Sequence, residues 1–331
     1  MGRTCALRAL IAIMACAPWS FAPLSAQQSS PPAPADPPAV VRTGAAADQR
    51  ITIPISIDGQ GPWHFIVDTG SQRTVVSSTL AARLGLREQR VATMLSMTGR
   101  SQVRTVVVPR LRFGNSLIDA IEAPVLDGDH LGAPGLLGLD GLHAKRLLLN
   151  FRTGRMEISN SSARLRSQPP NAIVVQARRR KGQLILLHSE VNDRPVSIIL
   201  DTGSAISVGN PALMAMLQRR KRAPALKPAA LISVTGAQLP GLVGEIASIR
   251  MGAVTLRHVP TLFADAGPFA ELGLKTKPAL LLGVNALRIF DRVAIDFGRG
   301  RVDFLLPEST LDRPHLAGTT DAAAQPATNS G

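Results

Sequence analysis

Tyrosine is absent from the 331-residue chain, aromatic residues total 3%, and the only cysteines, Cys5 and Cys16, stand near its start. So few aromatic faces leave little for single-stranded nucleic acid to stack on, and no nucleic-acid partner is expected. Beyond Cys16 the chain has neither a thiol nucleophile nor the means to form a disulfide, so its stability rests on the core. The six histidines (His64, His130, His143, His188, His258 and His315) are scattered without the paired spacing that chelates zinc. A Gly-x-Ser-x-Gly elbow and a phosphate-binding loop are both missing, so neither a metal nor a cofactor is expected. No run of apolar residues is long enough for a transmembrane helix.

What remains is 45% apolar, with 28 glycines and 25 prolines. A core of Val, Ile and Leu with many turn residues favours strands over long helices, and an all-β fold with a few short helices is expected. The net charge is +14, much of it in Arg178-Arg179-Arg180-Lys181 and Arg219-Arg220-Lys221-Arg222. Such clusters read as solvated loops or a helix end, with contact to an anionic envelope surface as the functional alternative.

The first 26 residues have a basic start (Arg3, Arg8), a short apolar stretch and a small-residue end at Ser25-Ala26, the pattern of a secretory signal peptide. The expected address is the periplasm or the exterior, with acylation of Cys16 in a lipoprotein signal as the rival reading. Residues 27–48, rich in Pro, Ala and Ser, are expected to be a disordered linker, and residues 309–331 a disordered tail.

Between these ends the sequence repeats. Phe65-Ile66-Val67-Asp68-Thr69-Gly70-Ser71 is echoed by Ile198-Ile199-Leu200-Asp201-Thr202-Gly203-Ser204, 133 residues later. Ser77 before Thr79-Leu80 is answered by Asn210-Pro211 before Ala212-Leu213, both helix-capping patterns. Ser96-Met97-Thr98-Gly99 is answered by Ser233-Val234-Thr235-Gly236, and Leu136-Leu137-Gly138-Leu139-Asp140 by Leu281-Leu282-Gly283-Val284-Asn285. Asn150-Phe151-Arg152-Thr153-Gly154 is answered by Asp296-Phe297-Gly298-Arg299-Gly300. The offset grows from 133 to 137, 145 and 146, which places insertions in the second copy, mostly at residues 265–278. Two long units in this order fit a pseudo-two-fold pair, with boundaries expected at 49–167 and 168–308.

Each Asp-Thr-Gly-Ser follows an apolar run, so a strand buried on both faces would deliver the Asp to a tight loop at its end. Gly70 and Gly203 let the backbone turn and approach its neighbour. The hydroxyls of Ser71 and Ser204 are expected to hydrogen-bond the carboxylates. Two such loops meeting on a two-fold axis would set Asp68 and Asp201 side by side, sharing one proton, able to activate a water against an amide.

These residues resemble the retropepsin and pepsin superfamily of aspartic peptidases, most closely the exported bacterial form with two retropepsin-like halves in one chain. The resemblance covers most of residues 50–307. It implies an acid-protease fold of two similar lobes around a cleft, a peptide or protein substrate, and catalysis by Asp68 and Asp201 within a single chain. It also implies that Thr69 and Thr202 cross-brace the catalytic loops, and that residues 94–102 and 231–240 are hairpin flaps. Two features depart from the pattern: pepsin-like enzymes carry a flap tyrosine, absent here, and retropepsins usually have Ala where this chain has Ser71 and Ser204. An inactive peptide-binding or inhibitor-like protein on the same fold is the alternative function.

Overall fold

The computed structural model describes residues 38–46, 48–162, 172–219 and 224–306. The expected signal peptide at 1–26, with Cys16, and the expected tail at 309–331 lie outside the described residues. No helix among the described residues is long and apolar enough to cross a membrane.

The described residues are mostly β, in two sheets. One holds eight strands, all from the first repeat, running in space from Gly44–Ala45 through Ile51–Ile57, Gln60–Val67 and Gly135–Leu137 to the hairpin Glu88–Ser96/Gly99–Phe113. The other carries the second repeat and also joins the halves. Its joining part sets the hairpin Lys145–Asn150/Arg155–Asn160 of the first repeat beside Arg292–Asp296/Arg301–Leu305 of the second.

The register of that junction carries the symmetry. Leu148 pairs with Ala294, its own counterpart at the offset of 146, while Arg146 pairs with Asp296 and Asn150 with Arg292. Exchanging each residue for its counterpart reproduces the same set of pairs, so a pseudo-two-fold axis passes between Leu148 and Ala294. Packing follows from composition. Val, Ile, Leu and Phe from both halves make one buried cluster that includes Ile53, Phe65, Leu147, Ile198, Val293 and Phe304. The fold is thus the two-lobed acid-protease architecture with a cleft between the lobes.

Two expectations need correction. The linker expected to reach residue 48 gives way to strands from Ala39. Ala39–Arg42 pairs antiparallel with Arg155–Asn160, and Gly44–Ala45 pairs with Ile51–Ile57. Edge pairing satisfies backbone groups whatever the side chains, so composition alone misses it. The cluster Arg178 to Lys181 is neither a loop nor a helix end. Its arginines finish the strand Ile173–Arg180, paired with Gln183–Leu186, and Lys181 sits at the turn between them. In the second cluster Arg219 caps the helix Pro211–Gln218, and residues 220–223 lie outside the described residues.

Candidate active site

The strand Gln60–Val67 ends in Phe65, Ile66 and Val67, and Ser197–Leu200 ends in Ile198, Ile199 and Leu200, all essentially without solvent exposure. Each is fixed by a parallel neighbour: Val67 pairs with Leu137 of Gly135–Leu137, and Leu200 with Leu282 of Ala279–Leu282. The pairing continues one residue beyond the strands, where Asp68 N donates to Leu137 O (3.0 Å) and Asp201 N to Leu282 O (3.1 Å). After the aspartates the chain turns back. Leu139 N donates to Ser71 O and Val284 N to Ser204 O, both at 2.9 Å. Further on, the caps Ser77 and Asn210 accept from Leu80 N (3.1 Å) and Leu213 N (2.8 Å), starting the helices Ser78–Arg83 and Pro211–Gln218.

The two loops meet. Thr69 Oγ1 donates to Leu200 O (3.1 Å) and Thr202 Oγ1 to Val67 O (2.6 Å). Thr69 N donates to Thr202 Oγ1 (3.1 Å) and Thr202 N to Thr69 Oγ1 (3.0 Å). All four bonds cross between halves, in a site where both threonines are buried. The crossing leaves no room over the glycines. A methyl group on Gly70 would stand 2.6 Å from Asp201 Oδ1, and one on Gly203 would collide with the Asp68 carboxylate. Glycine is required at both positions by this close approach.

Asp68 and Asp201 are buried, at 9% and 5% exposure. Asp68 Oδ1 accepts from Gly70 N (2.8 Å) and Ser71 N (2.9 Å), and Asp201 Oδ1 from Gly203 N (3.0 Å). The serine hydroxyls do not serve the carboxylates as expected. Ser71 Oγ donates to Arg73 O and Ser204 Oγ to Ile206 O, each at 2.7 Å. Backbone amides, freed by the turn at each glycine, already take the carboxylate position, so the hydroxyls brace the loop instead.

Burial raises the pKa of both carboxyl groups. For Asp201, loss of solvation and then the charge of Asp68 push it up to about 7, against the opposing backbone amides and the Arg50 guanidinium. Asp68 is raised by burial and held back by the amides of Gly70 and Ser71 and by Arg50. Both groups are pushed toward the protonated form, and since the charge of one raises the other they titrate as a pair.

Above the carboxylates lies a cleft of about 1060 Å³, large enough for several residues of an extended peptide. Its walls combine apolar side chains, among them Val75, Met94, Leu126 and Leu231, with polar and charged ones such as Gln72, Arg73, Thr93 and Glu271. The two flap segments are hairpins: Glu88–Ser96 returns through Met97-Thr98 into Gly99–Phe113, and Lys227–Ile232 through residues 233–237 into Gln238–Met251. Ser96, Met97, Ser233 and Val234 line the cleft; Thr98, Gly99, Thr235 and Gly236 do not. Each tip reaches the other half, Met97 packing on an apolar cluster of the second repeat and Val234 on one of the first.

Thr74, Ser207, Arg50 and Gln183 escaped sequence reasoning, although the first two are partners of the repeated Gly-x-Asp/Asn element. Asp140 accepts from Thr74 N (2.9 Å) and Thr74 Oγ1 (2.7 Å), and Ser207 Oγ donates to Asn285 Oδ1 (2.9 Å). The repeated Gly-x-Asp/Asn element therefore buttresses the return of each catalytic loop, and its polar partners stand six residues after each Asp, at the same offset of 133. Arg50 and Gln183, also on the cleft wall, share that offset but differ in residue type, so no repeated letter marks them.

Two lobes that bring one Asp-Thr-Gly-Ser loop each to the floor of a shared cleft make up an acid-protease fold. The aspartyl protease family model matches residues 53–140 and 187–286, more than half of the chain, and the chain belongs to that family. None of the curated proteins matches it.

Proposed function

We propose that the chain is an aspartic endopeptidase of the exported, single-chain retropepsin-like kind, in which Asp68 and Asp201 together activate a water against a peptide bond. The observation that carries this reading is the crossing of the two Asp-Thr-Gly-Ser loops, with two buried carboxyl groups that titrate as a pair on the floor of one peptide-sized cleft. Asp68, held by two backbone amides, takes the proton of the attacking water, while Asp201, protonated below about pH 7, donates a hydrogen bond to the scissile carbonyl oxygen. The proton on Asp68 then passes to the leaving nitrogen. No covalent enzyme intermediate is required.

Val75, Leu126, Leu231 and Leu272 on the cleft walls give apolar substrate side chains places to pack, and Ser96, Met97, Ser233 and Val234 act as flap residues over the substrate. A single chain supplies both aspartates, so a monomer suffices for catalysis. Export to the periplasm or exterior rests on the character of residues 1–26 and belongs to this proposal. The test is cleavage of a denatured protein between pH 3 and 8 by the wild type, Asp68→Asn and Asp201→Asn proteins. Activity that declines as pH rises through about 7 and is lost in both variants supports the reading. Equal inertness of all three proteins sinks it in favour of a peptide-binding role.

A further inference from the structure

Arg50 immediately precedes the strand Ile51–Ile57, and Gln183 opens the strand Gln183–Leu186. They stand 133 residues apart, the offset that relates Asp68 to Asp201 and Gly70 to Gly203. Both are buried, at 6% and 5% exposure, and both line the cleft. Each sends its side chain across to the other half: Arg50 Nη1 donates to Gly203 O (3.5 Å) and Gln183 Nε2 to Gly70 O. These carbonyls belong to the residues whose amides hold the Asp201 and Asp68 carboxylates. The two side chains therefore occupy equivalent places under the two catalytic loops, but one is a cation and the other is neutral.

We infer that Arg50 and Gln183 are a matched pair of positioning residues, each fixing the opposite half's catalytic loop, and that the single charge of Arg50 moves to lower pH the range over which the carboxylate pair works. The inference rests on the proposed peptidase reading. Two hydrogen bonds and an ion pair hold the guanidinium: Nη2 donates to Leu131 O (2.5 Å), Nη1 to Gly203 O, and Nε meets Asp48 Oδ2 (2.5 Å), while the main-chain N of Arg50 donates to Asp48 Oδ1 (3.2 Å). Asp48 is partly exposed, with 43% of its side chain in contact with solvent, so it offsets the buried cation only in part. Gln183 Oε1 has no hydrogen-bond partner among the described residues, so only its amide nitrogen is engaged. The positive charge of Arg50 favours the ionised form of both carboxyl groups. Gln183 has no such effect.

The other charged groups facing the cleft are Arg73 beyond the first catalytic loop, Asp129 and His130 on the short helix Gly128–Leu131, and Arg90, Arg100 and Glu271 near the first flap. They are unchanged in the variants proposed below, so any difference between variants belongs to Arg50 and Gln183.

The experiment is the pH profile of kcat/KM on a denatured protein substrate, with titration of the Asp68 and Asp201 carboxyl carbons by NMR in the same full-length proteins. Arg50→Gln restores the symmetry of the pair and should move both limbs of the profile, and both carboxyl titrations, upward by about one pH unit. Arg50→Lys keeps the charge, so it should lower kcat while leaving the limbs in place. Gln183→Leu removes a neutral donor and should likewise lower kcat, by about tenfold, without moving the limbs. Limbs and titrations of Arg50→Gln within about 0.2 unit of wild type overturn the inference, as does an equal shift in Arg50→Lys. If the wild type cleaves nothing, the peptidase reading falls, yet the carboxyl titrations still decide whether Arg50 governs the pair. If Arg50→Gln fails to fold, Arg50→Lys and Gln183→Leu carry the test, and a shifted limb in either one overturns it.

Discussion

At the floor of the cleft the halves use the same bonds: Asp68 N to Leu137 O and Asp201 N to Leu282 O, Thr69 Oγ1 to Leu200 O and Thr202 Oγ1 to Val67 O. At the roof they differ. The first flap is fastened to the inserted helix Gly267–Glu271 of the second half, where Gly267 N donates to Met97 O (2.9 Å) and Glu271 pairs with both Arg100 (3.2 Å) and Lys181. Those cations hold the Glu271 carboxyl below its ordinary range, Lys181 contributing most. The second flap has no such ion pair at its tip among the described residues. Gly236 fits against the His130 ring so closely that a side chain there would strike it. Chemistry common to both carboxylates constrains the floor, while the roof is free to hold one flap by charge and the other by shape.

The largest effect expected is at the floor, and it should be symmetric. Asp68→Asn and Asp201→Asn should each reduce kcat/KM by at least about 1000-fold, and a variant retaining more than a tenth of activity would break the equivalence of the halves. Thr69→Val and Thr202→Val come next. Each removes two buried cross-half bonds and should cost about 1 to 3 kcal/mol of stability in urea unfolding, to a similar extent. A large difference between them would show that one loop carries the brace alone.

A further test separates the carboxylates by stability. The folded-state pKa of Asp201, at about 7, lies above the ordinary carboxyl value, so the folded protein binds a proton that the unfolded chain releases. Its contribution to stability is therefore least unfavourable at low pH and worsens as pH rises toward and through 7. Asp201→Asn should raise the melting temperature by a few degrees at pH 8 and have little effect near pH 4. An equal change at both pH values would mean that the shift in Asp201 is absent.

The smallest effect belongs to the roof. Glu271→Gln should change KM by about two- to fivefold and remove part of its salt dependence, since these ion pairs are partly exposed. His130→Ala should change KM without altering its salt dependence. Matching salt profiles would erase the distinction between a charged latch and a steric one.

The duplication and the meeting of Asp68 and Asp201 were legible because the same letters recur at a fixed offset and follow strands whose apolar runs are unbroken. The helix starts were legible too, since Ser77 and Asn210 cap as their type predicts. Other features depend on contacts that no local pattern encodes. The strand Ala39–Arg42 pairs along the edge that Arg155–Asn160 offers, although it follows directly on a Pro-, Ala- and Ser-rich stretch that reads as a linker. The hydroxyls of Ser71 and Ser204 turn to the carbonyls of Arg73 and Ile206, and backbone amides hold the carboxylates in their stead. Arg50 and Gln183 could be matched only once the cross-half contacts showed that two unlike residues do the same mechanical task.

The junction on the pseudo-two-fold axis also bears on how the chain reaches this state. Lys145–Asn150 is covered on one side by its own hairpin partner, but its other side pairs with Arg292–Asp296, about 146 residues further along. Until that distant segment arrives, the first half presents an open edge whose natural complement has the same strand pattern as itself. A truncated first half should therefore self-associate through this edge, and refolding of the whole chain should grow less efficient with concentration as copies pair with one another before they pair within.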